Sequence, residues 1–116
     1  MKLLVCGSRK SNNFSMDYAA GVFGVLFKYK KMYSDLIIIE GCCEGSADQW
    51  AEKFAENNNI PIEHHPGEEK TYLKRNLEMV EACDEVLAFF DGYSYGTAFT
   101  ISNALMQGKK VIVIKI

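Results

Sequence analysis

The chain has 116 residues, 48% of them apolar and 24% charged, which are the proportions of a globular domain and not of a disordered or fibrous chain. No apolar run reaches the ~20 residues that span a bilayer, and a net charge of −2 supplies no broad basic face for long DNA or RNA. At this length one domain covering residues 1–116 is expected, burying about 65% of the surface its unfolded chain exposes.

Residues 2–6 are an apolar run that stops at Gly7-Ser8-Arg9, the pattern of a buried strand and a turn. The apolar part of this opening is too short for a signal peptide, so a cytoplasmic protein is expected. Over 15–33, Ala19, Val22, Phe23, Leu26 and Phe27 recur with helical period, although Gly21 and Gly24 each cost about 1 kcal/mol. Lys28, Lys30 and Lys31 close that helix, where its dipole favours cations. Residues 36–39 form a second aliphatic strand ending at Glu40-Gly41.

Ser46 is placed to cap the next helix, whose apolar face carries Ala47, Trp50, Ala51, Phe54 and Ala55. Three asparagines at 57–59 stop it, and 60–65 make a weaker strand whose Pro61 marks an edge. A helix over 68–82 presents Leu73, Leu77 and Val80 on one face. A strand over 85–90, a helix over 97–107 stopped by Gly108, and a strand over 110–116 complete the chain.

This β-α-β-α-β-α-β-α-β order with nearly all-apolar strands predicts an α/β fold: a Rossmann-like three-layer sandwich around a five-stranded, mainly parallel sheet. Strand order 3-2-1-4-5 leads, with 2-1-3-4-5 as the alternative.

Charge is unevenly spread. Residues 1–31 carry a local +5 and residues 32–116 a local −7. Arginine is scarce, with only Arg9 and Arg75 beside eleven lysines.

Cys6 and Cys83 sit in apolar segments, where free cysteine behaves as a small hydrophobe. Cys42 and Cys43 are adjacent, unlike the two-to-four-residue spacing of zinc pairs. No second Cys/His cluster accompanies His64-His65, so neither a metal nor a cofactor is expected. Free cysteines are expected too, since no secretory signal favours a disulfide framework.

In open α/β sheets, ligands bind beyond the carboxyl ends of the strands where strand order reverses. For order 3-2-1-4-5 that point lies between the first and fourth strands. The loops there are Gly7-Ser8-Arg9 and residues 91–97, which include Asp91, Gly92, Tyr93, Ser94, Tyr95, Gly96 and Thr97. A helix starting near Gly96-Thr97 offers free N–H groups to an anion such as phosphate, and Arg9 adds bidentate donors. Arg75 and Asn76 enter from the third helix. The 92–96 stretch matches G-x-S-x-G, but no Asp, Glu or His follows it, so Ser94 is not a hydrolase nucleophile. Residues 41–48 form a glycine-bracketed turn that lacks the lysine of a P-loop.

Five ordered segments resemble the SLOG superfamily, within it the small YspA/YpsA-related branch. Val5-Cys6-Gly7-Ser8-Arg9 resembles its opening VxGSR. Residues 40–48, containing Gly41, Gly45 and Asp48, resemble xGGcxGaD with Cys42 in place of the second glycine. His65-Pro66 resembles the step after strand three, Arg75-Asn76 with Met79 matches RNxxM, and residues 88–97 match AFxDGxSxGT. The resemblance implies a Rossmann-like domain that binds nucleotides or nucleotide-derived ligands, including NAD-derived signals such as cyclic ADP-ribose isomers. It also implies a homo-oligomer.

LOG-type phosphoribohydrolases in this superfamily pair an RxxxM arginine with a glutamate in PGGxGTxxE. Here Thr100 stands where that glutamate belongs. The preferred reading is therefore a binder, acting as sensor or sequestering protein, with Tyr93 and Tyr95 as faces for stacking a base. A nucleotide N-glycoside hydrolase using Asp91 or Glu40 is the alternative.

Overall fold

Aliphatic runs alternating with amphipathic stretches fold into an α/β three-layer sandwich in a computed structural model that describes residues 1–9, 16–68 and 70–116. In chain order the elements are β1 (Lys2–Gly7), α1 (Met16–Met32), β2 (Ile37–Glu40), α2 (Ala47–Asn57), β3 (Ile62–His64), α3 (Tyr72–Ala82), β4 (Glu85–Phe90), α4 (Tyr95–Met106) and β5 (Lys110–Lys115). Every pairing is parallel, and the order is β3-β2-β1-β4-β5. Ser15, the predicted start of the first helix, and Glu69 in the predicted third helix lie outside the described residues.

Side chains of a strand alternate between its two faces, and this alternation sorts the core into two halves. Leu3, Val5, Ile38, Leu87 and Phe89 pack against Val22 and Leu26 of α1 and Ala51 and Phe54 of α2. Leu4, Ile39, Val86 and Ala88 pack against Met79 and Val80 of α3 and Ala104 of α4. Two helices thus cover each face, as right-handed crossovers in both directions from β1 require.

The helix ends follow local chemistry. Ser46 accepts the Asp48 N–H at 3.2 Å and donates to the Cys43 carbonyl at 2.7 Å, so one hydroxyl starts α2 and closes the preceding turn. Ser46→Ala is expected to cost about 1 kcal/mol of stability, read as a lower urea midpoint at unchanged slope. Asn59 and Gly108 leave α2 and α4 through positive φ values of 54° and 74°.

Two expectations are corrected. The third helix starts at Tyr72, because Thr71 occupies the cap position and its N–H closes a turn onto the Glu68 carbonyl. β5 is less buried than its all-apolar middle predicts: it is an outer strand of the sheet, Ile112 and Ile114 pack on one half of the core and Val111 on the other, but none is fully buried and Val113 is 49% exposed.

Candidate functional site

The order of the strands reverses between β1 and β4, and their carboxyl ends open into a cleft of about 680 Å³. Ser8 fastens its two walls. Its N–H donates to the Phe89 carbonyl at 2.8 Å, and its hydroxyl accepts the Asp91 N–H at 3.1 Å. Ser8 is wholly buried and does not line the cleft, so its role is to hold the loops. Asp91 in turn accepts the N–H groups of Tyr93 and Ser94, which shapes the approach to α4.

Most of the predicted residues do meet. Gly7, Arg9, Gly41, Cys42 and Asp48 line the cleft from the β1 and β2 sides. Arg75 and Asn76 line it from α3, and Asp91, Ser94, Gly96 and Thr97 from the β4–α4 side. Ser94 is the N-cap of α4 but makes no side-chain cap hydrogen bond, so its hydroxyl does not satisfy the helix's first N–H groups. Ser94 Oγ lies 3.2 Å from Thr97 Oγ1 instead.

Arg75 is the most constrained cation of the site. Its Nη1 donates to the His65 carbonyl at 2.8 Å and also to the Gly41 carbonyl, while Nε donates to Asn76 Oδ1 at 2.7 Å. Gly41 and Gly67 make the slot for its guanidinium. A β-carbon at Gly41 would sit 2.6 Å from Nη1, and one at Gly67 would sit 3.1 Å from Cζ. Among the described residues Nη2 has no hydrogen-bond partner. The second arginine, Arg9, is exposed and donates through Nε to Cys43 Sγ at 2.9 Å.

Asp48 is the buried carboxylate of the cleft. Its Oδ2 accepts the Gly41 N–H at 3.0 Å and the Cys43 N–H at 3.3 Å. Burial, reinforced by the charge of Glu40, raises its pKa to about 6 against the opposing pull of those N–H groups and of Ser46. The Cys42 thiol is pushed up to about 11, by burial first and then by the charge of Glu40 and its hydrogen bond to that carboxylate.

Several predicted residues stand elsewhere. Tyr93 and Tyr95 are 92% and 66% exposed and do not line the cleft, so neither offers its face to a base inside it. They sit at the turn into α4, which Asp91 shapes by accepting the Tyr93 and Ser94 N–H groups. Gly45 and Gly92 are also outside; at φ 74° and 91° they serve turns that need the left-handed region.

Glu40 is fully buried and outside the lining, with Oε2 accepting the Cys42 N–H at 2.6 Å and Oε1 in contact with His64. The two carboxylates considered for hydrolysis thus both organise turns. Sequence reasoning missed Tyr72, which lines the cleft as its aromatic face, and Cys43. It also set His64 aside for want of Cys or His company, whereas the fold brings Cys42 and Glu40 to it.

No protein-family model and no curated protein matches the chain. Among solved structures it is similar to the X-ray structure of TM1055, a structural genomics target, at a TM-score of 0.71 and 18% identity, covering 95% of this chain and 71% of that one. The likeness extends to the fold: a Rossmann-like arrangement around a parallel sheet. No helix among the described residues is long and apolar enough to cross a membrane.

Proposed function

We propose that the cleft binds a phosphorylated, nucleotide-derived small molecule and that the protein acts as a sensor or sequestering domain for it. The observation that carries this reading is Arg75, a guanidinium locked in a glycine-made slot with Nη2 left over. Such a preorganised donor binds an anion without first losing its own freedom. The start of α4 at Ser94, Gly96 and Thr97 faces the same space and favours negative charge. Tyr72, in the lining, supplies the stacking face that Tyr93 and Tyr95 do not.

The SLOG-like motifs support the same ligand class, an NAD-derived or cyclic ADP-ribose-type signal among its members. The hydrolase alternative is disfavoured, because Asp91 and Glu40 are committed to backbone N–H groups and Thr100 replaces the LOG-type glutamate. We place the protein in the cytoplasm, without a long nucleic-acid partner. A homo-oligomer is supported by the exposed apolar side chains of Leu105, Met106 and Val113 on α4 and β5.

Isothermal titration with nucleoside monophosphates, ADP-ribose and cyclic ADP-ribose tests the reading, with mass spectrometry to follow the fate of each ligand. One of them binds stoichiometrically and is recovered intact. Arg75→Lys, which keeps the charge but loses the planar fork, weakens that binding roughly tenfold or more, the scale of one charge-assisted hydrogen bond. Tyr93→Ala leaves it unchanged. Release of free base and ribose phosphate overturns the binder in favour of the hydrolase.

A further inference from the structure

A second constellation stands at the margin of the cleft and shares only Cys42 with its lining. Glu40 ends β2, His64 ends β3, and the two are register partners on neighbouring parallel strands. Cys42 follows Glu40 by two residues and adopts φ 60°, the left-handed region that favours glycine. The chain thus keeps a thiol where the backbone alone would choose a residue without a β-carbon, and strain of that kind gathers at functional positions. The result is convergence. Cys42 Sγ lies 3.4 Å from Glu40 Oε1 and 3.6 Å from His64 Nδ1, and Nδ1 is itself in hydrogen-bond contact with Oε1.

We propose that Glu40, Cys42 and His64 form a binding site for a borderline-soft divalent cation of the zinc class, through one thiolate, one imidazole nitrogen and one carboxylate oxygen. Each donor atom lies within 4.8 Å of the others, the only such group among the described residues. A tetrahedral ion with bonds of about 2.3 Å to sulfur and about 2.0–2.1 Å to nitrogen and oxygen sets sulfur-to-donor separations of roughly 3.5 Å. The two sulfur separations here already match. Only Nδ1 and Oε1 must part, as the ion takes the place of the hydrogen between them.

The carboxylate is oriented in advance, because Oε2 is fixed by the Cys42 N–H at 2.6 Å and Oε1 is left for the cluster. Access is open, since Cys42 is exposed and the His64 side chain is 47% exposed, and a solvent molecule completes the coordination. Binding releases the thiol proton to solvent, and the imidazole proton moves by solvent exchange from Nδ1 to Nε2 as Nδ1 takes the ion.

A Cys–His–Glu nucleophilic relay uses the same three residue types but needs the thiol and the carboxylate on opposite ring nitrogens. Here both face Nδ1, the geometry of ligands around one point. Sulfur and nitrogen donors also select against magnesium and calcium, which take oxygen.

The test is equilibrium dialysis of chelator-stripped protein against Zn²⁺, with Co²⁺ as the spectroscopic probe. The wild type takes up one ion per chain at micromolar concentration, shows a thiolate-to-cobalt charge-transfer band, and gains thermal stability with Zn²⁺. Cys42→Gly, suited to the positive φ, keeps its circular dichroism spectrum but binds more than about tenfold more weakly and loses the band. His64→Ala behaves likewise, and Cys43→Ser binds as the wild type does. Absence of Zn²⁺ uptake by the wild type, wild-type affinity in folded Cys42→Gly, or loss of the cobalt band in Cys43→Ser overturns the proposal.

Discussion

Gly7→Val lowers stability by about 3 kcal/mol or more, although valine is the better strand former. The reason is space and not backbone freedom. A β-carbon at position 7 would stand 2.5 Å from Tyr18 Oη, 2.9 Å from Ala47 Cβ and 3.0 Å from the Phe89 carbonyl oxygen. None of these retreats easily. Tyr18 is buried with its hydroxyl bonded to the Ser8 carbonyl at 3.0 Å, Ala47 opens α2, and Phe89 belongs to the neighbouring central strand.

Relief by moving Tyr18 breaks a buried hydrogen bond worth about 1 kcal/mol, and relief by moving β1 disturbs the Ser8 clamp across the mouth of the cleft. Against a typical total of about 5–15 kcal/mol this is a severe loss. Urea unfolding is expected to show a much lower midpoint, and Gly7→Ala falls between the two. A midpoint equal to or above the wild type's would mean that α1 and α2 do not close over β1 as the structure has them.

Gly7 also shows where sequence reasoning succeeds and where it stops. Its place at the end of an aliphatic run marks the strand-to-turn boundary, and the same kind of reading gave β4 its bounds of 85–90 and Ser46 its capping role. Those features are local, set by neighbours within one or two turns of chain. The strand order was legible as well, because right-handed crossovers leave few ways to arrange five strands.

What was not legible depends on distance along the chain. Glu40, Cys42 and His64 meet only because β2 and β3 pair in one register, 24 residues apart for Glu40 and His64. Tyr93 and Tyr95 looked like cleft residues by proximity to the motif. The structure instead leaves both rings in solvent, 92% and 66% exposed, beside a turn that Asp91 shapes through the Tyr93 and Ser94 N–H groups, which composition does not reveal. Tyr72 reaches the cleft through the packing of α3 beside α4, with its ring 3.4 Å from the position a Gly96 β-carbon would take.

Asp48 makes stability fall by about 3 kcal/mol as pH rises from about 4 to about 6, at ~1.4 kcal/mol for each unit of displacement. Its ordinary value is 3.8 and its value in the fold about 6. Below pH 4 the carboxyl is protonated whether the chain is folded or not, so burial costs little. Between the two values the folded state holds a proton that the unfolded state has given up, and stability declines. Above about 6 both states are ionised, and the fold carries the full cost of a buried charge near Glu40.

Asp35 beside the N-terminal amine and Glu63 beside Lys2 have lowered values and contribute in the opposite direction. The difference between wild type and Asp48→Asn therefore isolates the effect. Asparagine's carbonyl oxygen accepts the same two N–H groups without a charge, so the variant gains relative stability through that window and is the more stable protein at pH 7. Urea unfolding of both proteins at several pH values measures it, and parallel curves would show that Asp48 is not the buried acid. The same proton matters to the proposed ligand: only ionised Asp48 repels an anion in the cleft, and the folded carboxyl ionises near 6, so nucleotide affinity is expected to hold up to about pH 5 and to fall as pH rises through about 6.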